Sequence, residues 1–241
     1  MPLRAGKSSL SVALLRLAPL SSGHITIDGV DIRTLGLRTL RRAITFIPQD
    51  AILWTGSLRS NLDPFGEHTD AELELVLGEV DWHRLAGSGE GVHHQVAEAG
   101  ANLSSGTRQL VMLARALLRG SKLLLLDEAT ANVDFATDAV IQRVLRSRFP
   151  HSTILTIAHR LDTIIDYDLL LLMAAGRVAE SGRPSELLER PESMFSALVG
   201  TGAAAERLRA AAQLGSIKVS AVQLVRESVN RSSRSCECAD H

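Results

Sequence analysis

The sequence predicts an α/β fold, a mostly parallel sheet flanked by helices, on three observations. Short apolar runs at residues 44–47, 123–126 and 153–158 alternate with segments of helical period. Hydrophobic residues make up 45% and charged residues 22% of the 241, which supplies a sizeable core and excludes a globally disordered chain. Aromatics are only 3%, so that core must be built from Leu, Val, Ile and Ala.

The elements follow in chain order. Residues 9–17 read as a helix opened by Gly6, Lys7, Ser8 and Ser9. Residues 24–28 alternate and end at Gly29, the pattern of a half-buried strand and a turn. Residues 44–47 form a second short strand, stopped by Pro48. Residues 70–80 place Leu73, Val76 and Leu77 on one helical face with acids between them. Residues 107–118 make a stronger helix, with Leu110, Val111, Leu113 and Ala114 on one broad face. Residues 123–126 are continuously apolar before Asp127 and Glu128, as in a strand buried on both faces. A helix over 138–146, a buried strand over 153–158 and a hairpin of 169–173 with 177–179 complete the pattern. No repeat or long linker interrupts residues 1–200. Beyond Gly200, residues 203–214 are Ala-rich and read as a helix, and residues 227–241, rich in Ser and Arg, read as disordered.

Several function classes are excluded by composition. Lys plus Arg number 26 against 27 for Asp plus Glu, which leaves no general basic footprint for nucleic acid, and few aromatics are present to stack on bases. The longest apolar run, residues 169–175, falls far below the ~18–20 residues that span a bilayer. Cys236 and Cys238 lie within the last six residues, so there is no disulfide framework, and a lone Cys-x-Cys lacks the second ligand pair of a zinc site. Residues 1–23 carry Arg4, Lys7 and Arg16 and no acid, which mimics a targeting peptide; Arg16 interrupts the apolar stretch and no small-residue cleavage site follows.

In a parallel sheet, ligands sit beyond the carboxyl ends of the strands. Each predicted strand end here carries a residue able to handle phosphate, magnesium or water: Gln49, the pair Asp127 and Glu128, and His159. Gly6-Lys7-Ser8-Ser9 leads into a helix, where backbone N–H groups and the lysine can cradle phosphates while Ser8 reaches Mg²⁺. A second helix start, Leu103-Ser104-Ser105-Gly106, offers free N–H groups and a positive dipole end to another anion.

Taken in order, these motifs resemble the nucleotide-binding domain of an ATP-binding cassette (ABC) transporter over residues 1 to about 200. Gly6-Lys7-Ser8-Ser9 resembles the end of the Walker A loop, Gln49 the Q-loop, residues 103–109 the family signature, Asp127-Glu128 the end of Walker B, residues 131–134 the D-loop, and His159 the switch histidine. Residues 47–50, 56–59 and 61–65 are similar to subfamily C, the multidrug-resistance-associated exporters, and Glu128 makes the chain look like their second, hydrolysis-competent cassette. The resemblance implies a P-loop NTPase fold with a mostly parallel sheet, a helical subdomain at about residues 60–120 carrying the signature, and a partial antiparallel β-subdomain, followed by a tail over 201–241.

It also implies roles. Gly6, Lys7, Ser8 and Ser9 would bind the phosphates of ATP. Ser8 and Gln49 would coordinate Mg²⁺, and Asp127 would hold it through its water shell. Glu128 would polarise the attacking water, and His159 would contact the γ-phosphate. Ser104 and Gly106 would clamp ATP bound to a second cassette, with Asp134 ordering that interface. The implied partners are a second cassette, in a nucleotide-sandwich dimer, and the transmembrane domains of an exporter; no nucleic acid is implied. The implied location is the cytoplasmic face of a membrane.

Three departures accompany the resemblance. Walker A expects glycine where Met1 and Arg4 stand, and an arginine Cβ can obstruct the close approach of phosphate to backbone. Thr107 replaces the glutamine that closes the signature. The family's first strand and its adenine-stacking aromatic are also missing, so the expectation is a cassette lacking its first strands. Two other readings remain open on sequence alone: a non-catalytic interaction fragment, and a soluble ATPase of DNA maintenance. The second is disfavoured by residues 61–65 and by the absence of a coiled-coil insertion between Gln49 and Ser104.

Overall fold

The computed structural model describes residues 7–87, 89–158 and 160–214. Its first element is helix α1 (Lys7–Leu14). The sequence pattern extends this helix to residue 17, but it stops short because Arg16 takes a left-handed φ of 49°. The Arg16 guanidinium donates to the carbonyls of Ile32 and Leu35 at 2.9 and 2.6 Å and ties the helix end to the short turn that follows the next hairpin. That hairpin, β1 (Thr26–Ile27) and β2 (Val30–Asp31), is shorter than the predicted strand. Asp28 and Gly29 both have positive φ, 51° and 79°, which suits the two central residues of a tight hairpin turn.

Helix α2 (Leu37–Ala43) then leads into strand β3 (Ile44–Ile47). A helical region follows: β4 (Gly56–Ser57), α3 (Leu58–Leu62), α4 (Asp70–Glu79), α5 (Trp82–Ala86), β5 (Gln95–Val96) and α6 (Ser105–Arg119). The central strand β6 (Leu123–Asp127), helix α7 (Phe135–Arg148) and strand β7 (Thr153–Ile157) come next. A hairpin of β8 (Leu170–Ala174) and β9 (Arg177–Gly182) and three helices, α8 (Pro184–Glu189), α9 (Met194–Val199) and α10 (Ala203–Leu214), complete the described residues.

The fold is therefore the expected mixture of a parallel sheet, flanking helices and small antiparallel sheets. Strands β3, β6 and β7 form the parallel sheet in that order. Ile47 pairs with Leu126 and Asp127 with Ile157, so the three strands end at one edge. Side-chain alternation sorts the two faces of β6. Leu123 and Leu125 pack with Leu14, Ile32 and Leu40 of the N-terminal elements. Leu124 and Leu126 join the larger core that includes Leu110 and Leu113 of α6, Val140 and Ile141 of α7, and the helical region around Trp82. Leu124 and Leu125 are fully buried, which confirms a strand covered on both sides.

Two helix boundaries extend past the predicted ones because caps rather than apolar periodicity set them. Helix α7 begins at Phe135 because Asp134 caps it, and α6 begins at Ser105 because the Ser104 hydroxyl accepts the Thr107 N–H at 3.0 Å. Helix α4 carries a capping box: the Thr69 N–H donates to the Glu72 carboxylate at 2.8 Å and the Glu72 N–H donates back to the Thr69 hydroxyl at 3.3 Å. Thr69→Ala is expected to lower stability by about 1 kcal/mol, read from the urea midpoint, with Thr69→Ser recovering most of it.

Candidate functional site

The carboxyl edge of the parallel sheet gathers three of the sequence-predicted segments. Gln49 lies two residues beyond β3, Asp127 ends the neighbouring β6 and Glu128 follows it. His159 falls two residues beyond β7 and lies outside the described residues, as do Met1, Arg4, Gly6 and the side chains of Lys7 and Ser8. Lys7 opens α1, and Ser9 within its first turn is exposed. The Gln49 side chain is also exposed, whereas Asp127 and Glu128 are half-buried.

Glu128 has an unusual backbone. Its φ is +51°, a left-handed conformation that disfavours residues with a Cβ, and its N–H donates to the Ile157 carbonyl at 2.9 Å. The ladder between β6 and β7 thus runs one residue past the strand, and the chain then turns sharply, with the Ala131 N–H on the Glu128 carbonyl at 3.0 Å. Strain of this kind concentrates where a side chain must be presented in one orientation.

From that turn the chain runs to the start of α6. The Ser105 hydroxyl donates to the Asn132 carbonyl at 2.6 Å. Two residues later Asp134 caps α7, accepting the Thr137 N–H at 3.0 Å and the Thr137 hydroxyl at 2.7 Å. Gly106 faces this cap. A Cβ built there would lie 3.1 Å from the Asp134 carboxylate and 3.1 Å from the Thr137 side chain, closer than ordinary packing allows. The start of α6 and the segment that leads into α7 are therefore packed together within one chain, and Gly106 serves that contact. Ser104 and Ser105 remain exposed beside it.

The Thr137 hydroxyl and then the Thr137 N–H hold the Asp134 carboxyl below the usual aspartate range. A lowered folded value means that the carboxylate stabilises the fold above the unfolded pKa of about 3.9 and that this contribution disappears as pH falls through the lower folded value. Protection of the first-turn amides of α7, corrected for the intrinsic pH dependence of exchange, is therefore expected to fall below about pH 4 in the parent. Asp134→Asn, which caps without titrating, should show no such step.

Beyond β7, Arg160 is anchored to Asp138 of α7 at 3.3 Å and to Asp162 at 2.8 Å. Two further polar residues of α6 bear on the site: Gln109, which ends the signature-like stretch 103–109 without a role of its own there, and Arg115. Gln109 is 4% exposed and donates to the backbone carbonyls of Pro48 and Gln49 at 3.0 and 2.7 Å. Arg115 donates to the carbonyls of Ile52 and Asn61 at 2.8 and 2.6 Å and stacks 4.5 Å over the Trp54 ring. Burial lowers the Arg115 pKa to about 10. In the sequence Gln109 ends the signature-like stretch 103–109, and Arg115 interrupts the apolar run of 110–118.

Among the described residues, no group of three or more His, Cys, Asp or Glu could hold a metal unaided. Magnesium does not require one: it takes one or two protein oxygens and completes its shell with phosphates and water. The oxygen donors Asp127 and Gln49 on adjacent strand ends fit that demand. No described helix is long and apolar enough to cross a membrane.

Comparison with known proteins gives a consistent result. The ABC transporter family profile matches residues 5–131. The human protein "ATP-binding cassette sub-family C member 2" is 50% identical over 192 residues, covering 79% of this chain and 12% of the relative. The Dictyostelium discoideum protein "ABC transporter C family member 3" is 50% identical over 196 residues, covering 81% of this chain and 14% of the relative. A solved bacterial Atm1-family ABC exporter with ATP bound superposes with a TM-score of 0.74 at 32% identity, covering 83% of this chain and 36% of that one. This chain therefore spans 12 to 36% of the length of these three proteins.

Proposed function

This chain belongs to the ABC transporter family, and we propose that it is the ATP-binding and ATP-hydrolysing module of an exporter of the multidrug-resistance-associated kind. The observation that best supports this is the common edge of β3, β6 and β7, where Gln49, Asp127 and Glu128 stand on adjacent strand ends. A carboxamide, a carboxylate and a second carboxylate at such an edge suit a metal-bound triphosphate and its attacking water.

In this reading Gly6, Lys7, Ser8 and Ser9 bind the phosphates at the start of α1, where backbone N–H groups and the lysine charge meet the anion. Bound Mg²⁺ neutralises charge that develops on the phosphate oxygens. Ser8 and Gln49 offer it oxygen ligands, and Asp127 holds its water shell. Glu128 takes the proton of the attacking water, and His159 orients the terminal phosphate. Ser104 and Gly106 face the nucleotide of a second cassette, with Asp134 at the same surface. Transmembrane domains joined to the two cassettes would receive the motion, and the chain would work on the cytoplasmic face of the membrane.

Phosphate release from Mg-ATP by the full-length protein tests the proposal. Hydrolysis is expected, and Lys7→Ala and Asp127→Asn should each lower it by ~10-fold or more, the scale of losing one charged phosphate or metal contact. Unchanged hydrolysis in both variants would refute the assignment.

A further inference from the structure

Helix α6 grips one loop at two points. At its first turns the Gln109 amide donates to the carbonyls of Pro48 and Gln49, and two turns later Arg115 holds Ile52, Asn61 and the Trp54 ring. The loop that leaves β3 is thus held along its length by one rigid helix. The orientation of the amide is dictated chemically: two carbonyl oxygens can face only its Nε2, which has two protons to give. Its Oε1 is buried and accepts no hydrogen bond among the described residues. An apolar side chain would fill this volume without leaving a polar atom unsatisfied, so the carboxamide is kept for its donors.

The two carbonyls flank the peptide unit that carries Gln49. Pro48 contributes no N–H there, and the Gln49 side chain itself is exposed at the sheet edge. The backbone that aims Gln49 is therefore fixed from outside the sheet, by a residue one turn along the same helix that begins at Ser104 and Gly106.

We propose that Gln109 is a positioning residue: its buried carboxamide fixes the Pro48–Gln49 backbone to the signature helix, presents the Gln49 side chain to the metal-bound nucleotide, and moves it with the helix end at Ser104–Gly106. This rests on the function proposed above. Gln109→Leu removes both donors at similar volume, and Gln109→Glu keeps the shape while setting a carboxylate against two carbonyls. In the full-length protein without nucleotide, amides 49–54 should exchange ~3- to 10-fold faster in both variants, the scale of losing a net hydrogen bond, while amides of β6 stay unchanged. The Mg²⁺ concentration that half-saturates the Mg²⁺-dependent tightening of ATP binding should rise by a similar factor, with metal-free ATP affinity unchanged. Should Gln109→Leu lose helix content, Gln109→Met takes its place.

Unchanged exchange at 49–54, or unchanged Mg²⁺ dependence with the exchange altered, overturns the positioning role. A parent protein that binds Mg-ATP but shows no Glu128-dependent turnover refutes the function above and leaves both of these readouts intact, so the two failures are separable.

Discussion

Replacing Glu128 with Gln is expected to leave ATP binding intact and to lower turnover by ~10²-fold or more, the scale of losing a general base. The substitution keeps size and hydrogen-bonding reach and removes only the ability to take a proton. The residue follows the sheet's central strand, half-buried, with its backbone held at φ +51° and its N–H on Ile157. Packing there should tolerate the isostere, so a fall in rate reports chemistry rather than folding. Nucleotide binding by calorimetry alongside phosphate release separates the two, and equal hydrolysis by mutant and parent would remove Glu128 from the mechanism.

Gly106→Asp is expected to weaken ATP-dependent pairing of this chain with a separately produced partner cassette by ~10-fold or more, because a like charge set against a phosphate at an interface costs several kcal/mol. Ser104 and Gly106 open a helix whose positive end would face a second nucleotide, and a carboxylate there repels it. The structure adds a condition to this test. The new side chain would also meet Asp134 and Thr137 of its own chain at 3.1 Å from its Cβ, inside ordinary van der Waals contact, so these neighbours must give way. Gly106→Ala adds the methyl without the charge and isolates that packing effect. Sedimentation with ATP in a Glu128→Gln background should show Gly106→Ala pairing better than Gly106→Asp. Equal pairing by Gly106→Asp and its parent would end the assignment of this helix end to a partner's nucleotide.

The sheet and its flanking helices were legible because burial on both faces writes an unbroken apolar run, as in Leu123 to Leu126, and burial on one face writes a helical period, as in α4. Short elements carry neither signal. Helices α2, α3, α5, α8 and α9 have five to seven residues, too few for a period to register, and their boundaries depend on caps such as Ser57 and Ser193. Strand β9 outran its predicted end at residue 179 because Glu180, Ser181 and Gly182 pair through their backbones with β8, which no side-chain pattern records.

The placement of Gln49, Asp127 and Glu128 at one sheet edge could be read from sequence because the ends of parallel strands are marked by where their apolar runs stop. Gln109 ends the signature-like stretch, but its grip on the loop could not be read, since its partners are backbone carbonyls 60 residues away. The double duty of Gly106 was hidden for the same reason: the contact that explains the missing Cβ comes from the cap of another helix.

The most direct measurement of the central claim is ATP hydrolysis by the full-length protein in water enriched in oxygen-18. If Glu128 activates a water that attacks the γ-phosphorus, the bond from that phosphorus to the ADP oxygen breaks. Released phosphate then carries one labelled oxygen and ADP carries none, and Glu128→Gln slows release without moving the label. Label in ADP, or no phosphate release from a protein that binds Mg-ATP, would contradict it.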